Sequence, residues 1–204
     1  MKKIIIFISI ILVVLCLLFL SKYFLKSKKI EIILKQPEQA GQEMKPAETP
    51  KIEIIERLVS WGFQKADGRK IDTIIIHSSY DANGAAPYDV DGLIKEYKQY
   101  KVTPHYLIDR NGKIYQLVEE KNIAYQAGKS QTPDGRKNVN DFSIGIEMMN
   151  MKTGQMTDEQ YQALNELIGD IKSRYEIKYV LGHNQIASDR KDDPWNLDWE
   201  KIWR

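Results

Sequence analysis

The most apolar stretch of the chain lies at its N-terminus, where residues 4–20 are interrupted only by Ser9 and follow Lys2 and Lys3. An α-helix rises ~1.5 Å per residue, so this stretch and its amphipathic continuation at 23–25 just suffice to cross ~30 Å of hydrocarbon. The pattern therefore predicts a transmembrane helix.

Two alternatives involve cleavage of this segment. A signal peptide needs small residues after the apolar run, but residues 18–22 are Leu-Phe-Leu-Ser-Lys and offer no suitable pair. A lipoprotein modified at Cys16 is disfavoured by the bulky Leu15 before it. We therefore expect an uncleaved membrane anchor over residues 1–29, with basic flanks.

Residues 30–50 change in composition and become rich in Gln, Glu, Pro, Lys, Ala and Gly. Such a segment cannot bury enough apolar surface to offset the entropy lost when its backbone is ordered. We expect a linker here, followed by a single globular domain over residues 51–204.

Within residues 51–204, β-branched runs alternate with helical stripes. Thr157 and Gln160 form a capping box before the clearest stripe, and Asn111-Gly112 predicts a tight turn between two strands. The pattern predicts helices at 52–61, 90–100 and 157–175, and strands at 71–77, 105–109, 113–118, 142–149 and 179–181. Because the elements alternate without a strict βαβ rhythm, we expect an α/β fold with a mixed central β-sheet flanked by helices.

Charge and cysteine content limit the possible ligands and the possible metal-binding residues of the folded domain. Residues 1–50 hold eight Lys and four Asp or Glu, so residues 51–204 hold 22 basic and 24 acidic groups, which gives no support for nucleic-acid binding. The only cysteine is Cys16, in the apolar segment. A metal site in the folded part must therefore use His and Asp or Glu.

Three histidines, His77, His105 and His183, each lie at the edge of a strand-like run. A lone histidine is usually structural, so position alone leaves their roles open. The charged loop 188–193 after His183 is long enough to fold back and bring a carboxylate beside it, although a solvated loop would have the same composition.

Four blocks of sequence follow one another between residues 74 and 194. They are Ile-Ile-Ile-His-Ser-Ser at 74–79, His-Tyr-Leu-Ile-Asp-Arg-Asn-Gly at 105–112, Asn-Asp-Phe-Ser-Ile-Gly-Ile-Glu at 140–147, and Gly-His-Asn-Gln-Ile-Ala at 182–187 with a trailing Lys-Asp-Asp-Pro. With these blocks in this order, the chain from about residue 70 to 204 resembles the type 2 N-acetylmuramoyl-L-alanine amidase family. That family includes the amidase-type phage lysozymes and is related to the peptidoglycan recognition proteins.

The resemblance implies one zinc ion and roles for five residues. His77, His183 and Asp193 match the family's zinc ligands. Lys191 matches its catalytic lysine, and Glu147 matches the acidic residue that some members use as the general base. Three protein ligands leave one position of a tetrahedral zinc open for water, as catalytic sites require.

Two positions depart from the family pattern. Many members have Trp-His-Ala-Gly where residues 125–128 are Tyr-Gln-Ala-Gly, so Gln126 replaces a pocket histidine. Pro104 stands where some members have a catalytic tyrosine, so the chain resembles the glutamate-using branch. For His105 three interpretations stay open: support of the site or contact with substrate, a structural role, or a ligand in place of Asp193.

The resemblance implies zinc-dependent hydrolysis of the amide bond between N-acetylmuramic acid and L-alanine in peptidoglycan. A non-catalytic peptidoglycan receptor and a zinc peptidase acting within the stem peptide are the alternatives. We expect a monomer on a single-pass helix in the cell membrane, with its catalytic domain facing the cell wall. The four lysines within 22–29 outnumber Lys2 and Lys3, however, and positive-inside counting favours the opposite orientation.

Trp195, Trp199 and Trp203 are spaced by four residues near the C-terminus. This spacing favours a short terminal helix docked on the core, and a sugar-binding face is the alternative.

Overall fold

The computed structural model describes residues 52–202, which belong to one compact unit, Pro50–Arg204. The predicted anchor (1–29), the predicted linker (30–50) and Trp203 lie outside the described residues. Within the described part, no helix is both long enough and apolar enough to cross a membrane.

The described residues form eight strands, three α-helices and two short 3-10 helices. The strands are β1 (Ile54–Glu56), β2 (Phe63–Gln64), β3 (Thr73–Ser79), β4 (Tyr106–Ile108), β5 (Ile114–Gln116), β6 (Ile123–Ala124), β7 (Ser143–Met149) and β8 (Tyr179–Gly182). The helices are α1 (Val90–Tyr100), α2 (Asp158–Arg174) and α3 (His183–Ile186), and the 3-10 helices are Val139–Phe142 and Trp199–Lys201.

Six strands form the central sheet in the order β1-β5-β4-β7-β3-β8. Strands β4, β7, β3 and β8 are mutually parallel, whereas β5 is antiparallel to β4. Strands β2 and β6 form a separate antiparallel pair. The predicted mixed sheet flanked by helices is confirmed.

The alternation of side chains along β3 and β7 divides the core into two faces. Ile74 and Ile76 of β3 pack in one apolar cluster with Leu164 and other residues of α2. Ile75 packs in a cluster on the opposite face. His77 therefore points away from α2, as does its in-register neighbour Glu147 on β7.

The two longer helices lie where the sequence predicts them, and both have capped N-termini. Thr157 accepts a hydrogen bond from the backbone N–H of Gln160 (3.1 Å), and the Gln160 side chain accepts one from the Thr157 N–H (3.2 Å). This reciprocal pair is the predicted capping box. The predicted helix at 90–100 has the bounds Val90–Tyr100, with Asp89 accepting bonds from the first-turn N–H groups.

The helix predicted at 52–61 is wrong. Residues Ile54–Glu56 instead form β1, which pairs in parallel with Ile114–Gln116 of β5. Apolar runs as short as this one do not distinguish a helix from a strand. Pairing with the free edge of β5 decides the outcome, and bonds from Arg57 and Val59 to β5 and the residue after it extend the pairing.

The predicted hairpin is confirmed, with β4 and β5 antiparallel around Gly112. Gly112 has a positive φ of 77°, and a Cβ there would lie 2.6 Å from the carbonyl oxygen of Glu159. Near the C-terminus, residues Trp199–Lys201 form a 3-10 helix with Trp199 packed on the core, while Trp195 lies apart and lines a cleft.

Candidate metal centre and active site

Parallel strands bring distant residues to one edge of the sheet. His77 lies near the C-terminal end of β3 and is in register with Glu147 of β7. Strand β8 runs parallel to β3 and ends at Gly182, so His183 begins α3 just beyond the same edge. The loop after α3 returns to this point, because the N–H of Asn184 donates to the carbonyl oxygen of Asp193 (2.7 Å).

His77, His183 and Asp193 converge at this edge. The Nδ1 atoms of His77 and His183 are 3.0 Å apart. The Asp193 Oδ2 atom lies 3.2 Å from the His183 Nδ1 and 3.3 Å from the His77 Nδ1. All three side chains are buried, and they form the group with metal-binding potential found among residues 52–202.

Hydrogen bonds on the far side of each ring fix which nitrogen faces the centre. The His183 Nε2 lies 3.2 Å from the carbonyl oxygen of Ala127, which can only accept, so this nitrogen donates. The His77 Nε2 lies 2.5 Å from the Oε1 atom of Gln126 and donates to it. Both Nδ1 lone pairs therefore point towards each other and towards a carboxylate oxygen.

This donor set fits a zinc ion. Two imidazole lone pairs and a carboxylate oxygen within 3.3 Å of one another repel unless a cation lies among them. Zinc takes His nitrogen and Asp oxygen as ligands, and the rings of zinc-binding histidines usually donate their other N–H to a protein acceptor. Both features are present at His77 and His183.

Burial and mutual contacts shift the pKa values of the three side chains in different directions. Burial on its own would raise the pKa of Asp193, but the close approach of the His183 and His77 rings holds this pKa well below its usual range. Burial would lower the pKa of His77, yet the nearby Asp193 carboxylate and the charge of Glu147 raise it. Burial lowers the pKa of His183. Asp193 is thus a carboxylate, facing two imidazoles of unequal basicity.

Glu147 lies one strand away from this centre and lines the same cleft. Its side chain is buried, and burial raises its pKa to about 7, against the opposing charge of His77 and a hydrogen bond from Ser79. A carboxyl group with a pKa near neutrality both takes up and releases a proton readily, which suits a general base.

Lys191 lies on the exposed rim of the cleft. Its backbone N–H donates to the carbonyl oxygen of Ala187 (2.9 Å), which holds the loop against the end of α3. The positive charge of Lys191 lowers the pKa values of both Glu147 and His183, so its ammonium group acts electrostatically on the site.

The cleft has a volume of about 500 Å³ and an aromatic wall. Tyr80 and Trp195 line it side by side, with ring centroids 6.2 Å apart. Tyr100 and Tyr125 also line it and are exposed to solvent. The polar centre therefore lies in a cleft whose sides present apolar surface to a ligand.

His105 lies outside the group formed by His77, His183 and Asp193. Its Nδ1 accepts a bond from the N–H of Gly145 (3.0 Å), and its Nε2 donates to the carbonyl oxygen of Asn122 (3.1 Å). Burial, reinforced by the charge of Arg69, lowers the pKa of His105 to about 3. Both ring nitrogens are used by the protein, which favours the structural interpretation, and Asp193 rather than His105 completes the three-residue group.

The sequence-based prediction gave no role to Gln126 or Ser79. Gln126 contacts His77, and Ser79 bonds both Glu147 and, at 2.6 Å, the Tyr97 hydroxyl. The replacement in the Tyr-Gln-Ala-Gly segment was the one available signal for Gln126. Nothing in the local sequence around Ser79 indicates its contacts, because they depend on the packing of α1 against β3.

A family profile described as N-acetylmuramoyl-L-alanine amidase matches residues 67–196. The 1,6-anhydro-N-acetylmuramyl-L-alanine amidases AmpD of Haemophilus influenzae and Escherichia coli are 40% and 41% identical over 110 residues, which is 52% of this chain. The matches span 59% and 60% of the length of these two relatives.

Comparison with solved structures identifies the same kind of protein as the sequence comparison. A crystal structure of AmpD superposes with a TM-score of 0.64 at 29% identity and covers 74% of this chain and 92% of that one. The E. coli amidase AmiD, solved with anhydro-N-acetylmuramic acid-L-Ala-D-gamma-Glu-L-Lys, gives a TM-score of 0.56 at 33% identity, over 68% and 59% of the two chains. The profile match covers more than half of the sequence, and the chain belongs to the type 2 N-acetylmuramoyl-L-alanine amidase family.

Proposed function

We propose that this protein hydrolyses the amide bond between N-acetylmuramic acid and L-alanine, with a zinc ion held by His77, His183 and Asp193. The observation that carries the proposal is the convergence of the three ligand atoms within 3.3 Å, beside Glu147 in one cleft. The names of the AmpD and AmiD relatives support muramoyl peptides as the substrate class.

Zinc, when bound, supplies a Lewis acid that polarises the scissile carbonyl and makes water acidic near neutral pH. Glu147 takes a proton from the attacking water while the water oxygen bonds to the lactyl carbonyl carbon. Glu147 then delivers that proton to the alanine nitrogen as the C–N bond breaks. The products are the muramic acid carboxylate and a stem peptide with a free amino terminus.

Lys191 has an electrostatic role in this proposal. The carbonyl oxygen becomes negative as water adds, and a nearby ammonium group stabilises that charge more than it stabilises the neutral amide. The position of Lys191 on the rim of the cleft, where its charge already acts on Glu147 and His183, supports this role.

We place the domain at the outer side of the cell membrane, on a single-pass helix formed by the apolar run at 4–20. The support is that run and the location of the proposed substrate in the cell wall. Protease treatment of intact spheroplasts is the test. Digestion of the domain without lysis supports this orientation, and protection until lysis contradicts it.

The reaction is tested by incubating the purified full chain with peptidoglycan and with a soluble muramoyl peptide, in the presence and absence of a zinc chelator. Mass spectrometry should detect free peptides that begin at L-alanine, and the chelator should abolish them. New ends within the stem peptide would instead identify a peptidase. Binding that resists the chelator and produces no new ends would identify a receptor.

A further inference from the structure

Gln126 is held at both ends of its amide group. Its Oε1 atom accepts a bond from the His77 Nε2 (2.5 Å), and its Nε2 atom donates to the Ser143 hydroxyl (2.9 Å). In this orientation the carbonyl oxygen is the end of the amide that faces His77. Gln126 is the neutral replacement, noted above, for a histidine found in many family members.

Strand β7 is shaped to admit this side chain. A Cβ atom on Gly145 would lie 2.6 Å from the Cγ and 2.8 Å from the Cδ of Gln126. These separations are too short for any side chain at Gly145 to coexist with Gln126 in its present place. Gly145 and Ser143, two residues apart on β7, thus provide space for the amide and a partner for it.

The segment that carries Gln126 serves both histidines of the centre. The next residue, Ala127, offers its carbonyl oxygen to the His183 Nε2 (3.2 Å). The Asn140 Oδ1 atom accepts bonds from the backbone N–H groups of Gln126 (3.3 Å) and Ala127 (2.8 Å), which fixes both residues. Two consecutive acceptors therefore face the two rings.

The acceptor at Nε2 determines the state of the other ring nitrogen, Nδ1. A neutral imidazole carries a hydrogen on only one of its two nitrogens. When Nε2 donates that hydrogen to a carbonyl oxygen, Nδ1 keeps a free lone pair. If the acceptor at His77 is lost, the hydrogen is free to move to Nδ1. It would then point at the His183 Nδ1, 3.0 Å away, and occupy the position of a metal ion.

We propose that Gln126 is a positioning residue that holds His77 in the Nε2–H form and so prepares its Nδ1 for metal. This inference rests on the proposed zinc site. His183 does not depend on any side chain for the same purpose, because its acceptor is the Ala127 backbone. His183 should therefore keep its tautomer when Gln126 is substituted, and it serves as an internal control.

The test compares Gln126→Leu, which keeps the bulk and removes the acceptor, with Gln126→Glu, which keeps an acceptor oxygen. Zinc affinity is measured on the full chain by competition with a chromophoric chelator. Loss of a partner of this kind typically weakens metal binding about 10-fold to 100-fold, which is the expectation for the Leu variant. The Glu variant should bind zinc at least as tightly as the unmodified protein, since a charged acceptor makes the ring more basic.

The second readout is the tautomer of each ring in the metal-free protein, from ¹⁵N NMR of labelled histidine. His77 should lose its single Nε2–H form in Gln126→Leu, while His183 retains it. If Gln126→Leu does not fold, as judged by circular dichroism, Ser143→Ala is used instead. It removes only the hydroxyl that accepts the bond from the Gln126 amide and should weaken zinc binding to a smaller extent.

Unchanged affinity together with an unchanged His77 tautomer in the folded variant would overturn the role of Gln126. An unmodified protein that does not bind zinc would overturn the proposed function itself. The two failures are distinguishable because the first requires an unmodified protein that binds the metal.

Discussion

At the scale of single residues, burial has opposite effects on two ionisable groups. Burial disfavours the charged form of each, so it raises the pKa of Glu147 to about 7 and lowers the pKa of His105 to about 3. Glu147 is thereby tuned to exchange protons near neutral pH inside the cleft. His105 remains a neutral link between β4 and β7.

Replacing Glu147 by Gln removes the proton carrier and leaves the three presumed ligands intact. We expect kcat on a muramoyl peptide to fall by about 100-fold to 10,000-fold, with unchanged zinc content. Steady-state kinetics and metal analysis of the same preparation provide the measurement. A Glu147→Gln variant as active as the unmodified protein would remove Glu147 from the mechanism.

Replacing Lys191 by Ala tests the electrostatic role of the lysine. We expect kcat to fall by about 100-fold to 1,000-fold, with little change in zinc affinity, because the charge is needed mainly in the transition state. Lys95→Ala is the matched control, since Lys95 is an exposed lysine on α1 outside the cleft. Equal activity of the two variants contradicts the assignment.

His105 should make the protein sensitive to acid. The unfolded chain takes up a proton near pH 6.5, whereas folded His105 does so only near pH 3. Between these values the unfolded state binds more protons, so stability from His105 is complete above pH 6.5 and is lost as the pH falls. The free energy of unfolding should decrease by up to about 1.4 kcal/mol per pH unit from this residue.

Urea unfolding at a series of pH values measures this slope. His105→Gln removes the titration and should flatten the slope between pH 6 and 4, whatever its effect on stability at neutral pH. Other titrating groups are common to both proteins and cancel in the difference. Identical slopes would show that His105 takes up its proton at the same pH in the folded and unfolded states, which contradicts the lowered pKa.

At the scale of elements, the accuracy of prediction follows the length of the pattern. The stripe of α2 and the apolar runs of β3 and β7 are long enough to define their period, and each prediction is confirmed. The run at 52–61 is too short, and its conformation depends on β5, some 60 residues away. Strands β2 and β6 have two residues each and no local signal that would predict them.

The capping box of α2 also connects it to the hairpin. The Thr157 hydroxyl accepts the bond from Gln160 and donates to the carbonyl oxygen of Arg110 (3.0 Å). Thr157→Ala should therefore lower the free energy of unfolding by about 1–2 kcal/mol, in the upper part of the range for such caps.

Urea unfolding at pH 7 measures this effect. Ser173→Ala, at an exposed hydroxyl in the last turn of α2, is the matched control and should change stability by less than about 0.5 kcal/mol. A Thr157 variant no less stable than the Ser173 variant would contradict the contribution of the cap.

At the scale of the whole molecule, the strand topology brings together site residues that are far apart in the sequence. His77 and His183 are 106 positions apart, yet the parallel pairing of β3 and β8 makes them neighbours. Their meeting was predicted from the family resemblance and the strand-end positions. The contacts of Gln126 and the structural setting of His105 were not, because both depend on side-chain packing across several elements.

The central claim is a single zinc centre formed by His77, His183 and Asp193. Anomalous diffraction at the zinc absorption edge, on crystals of the full chain grown with zinc, tests it most directly. The account predicts one strong peak at about 2.0–2.2 Å from His77 Nδ1, His183 Nδ1 and an Asp193 carboxylate oxygen. A peak bound by other residues, or no peak among these three side chains, would contradict it.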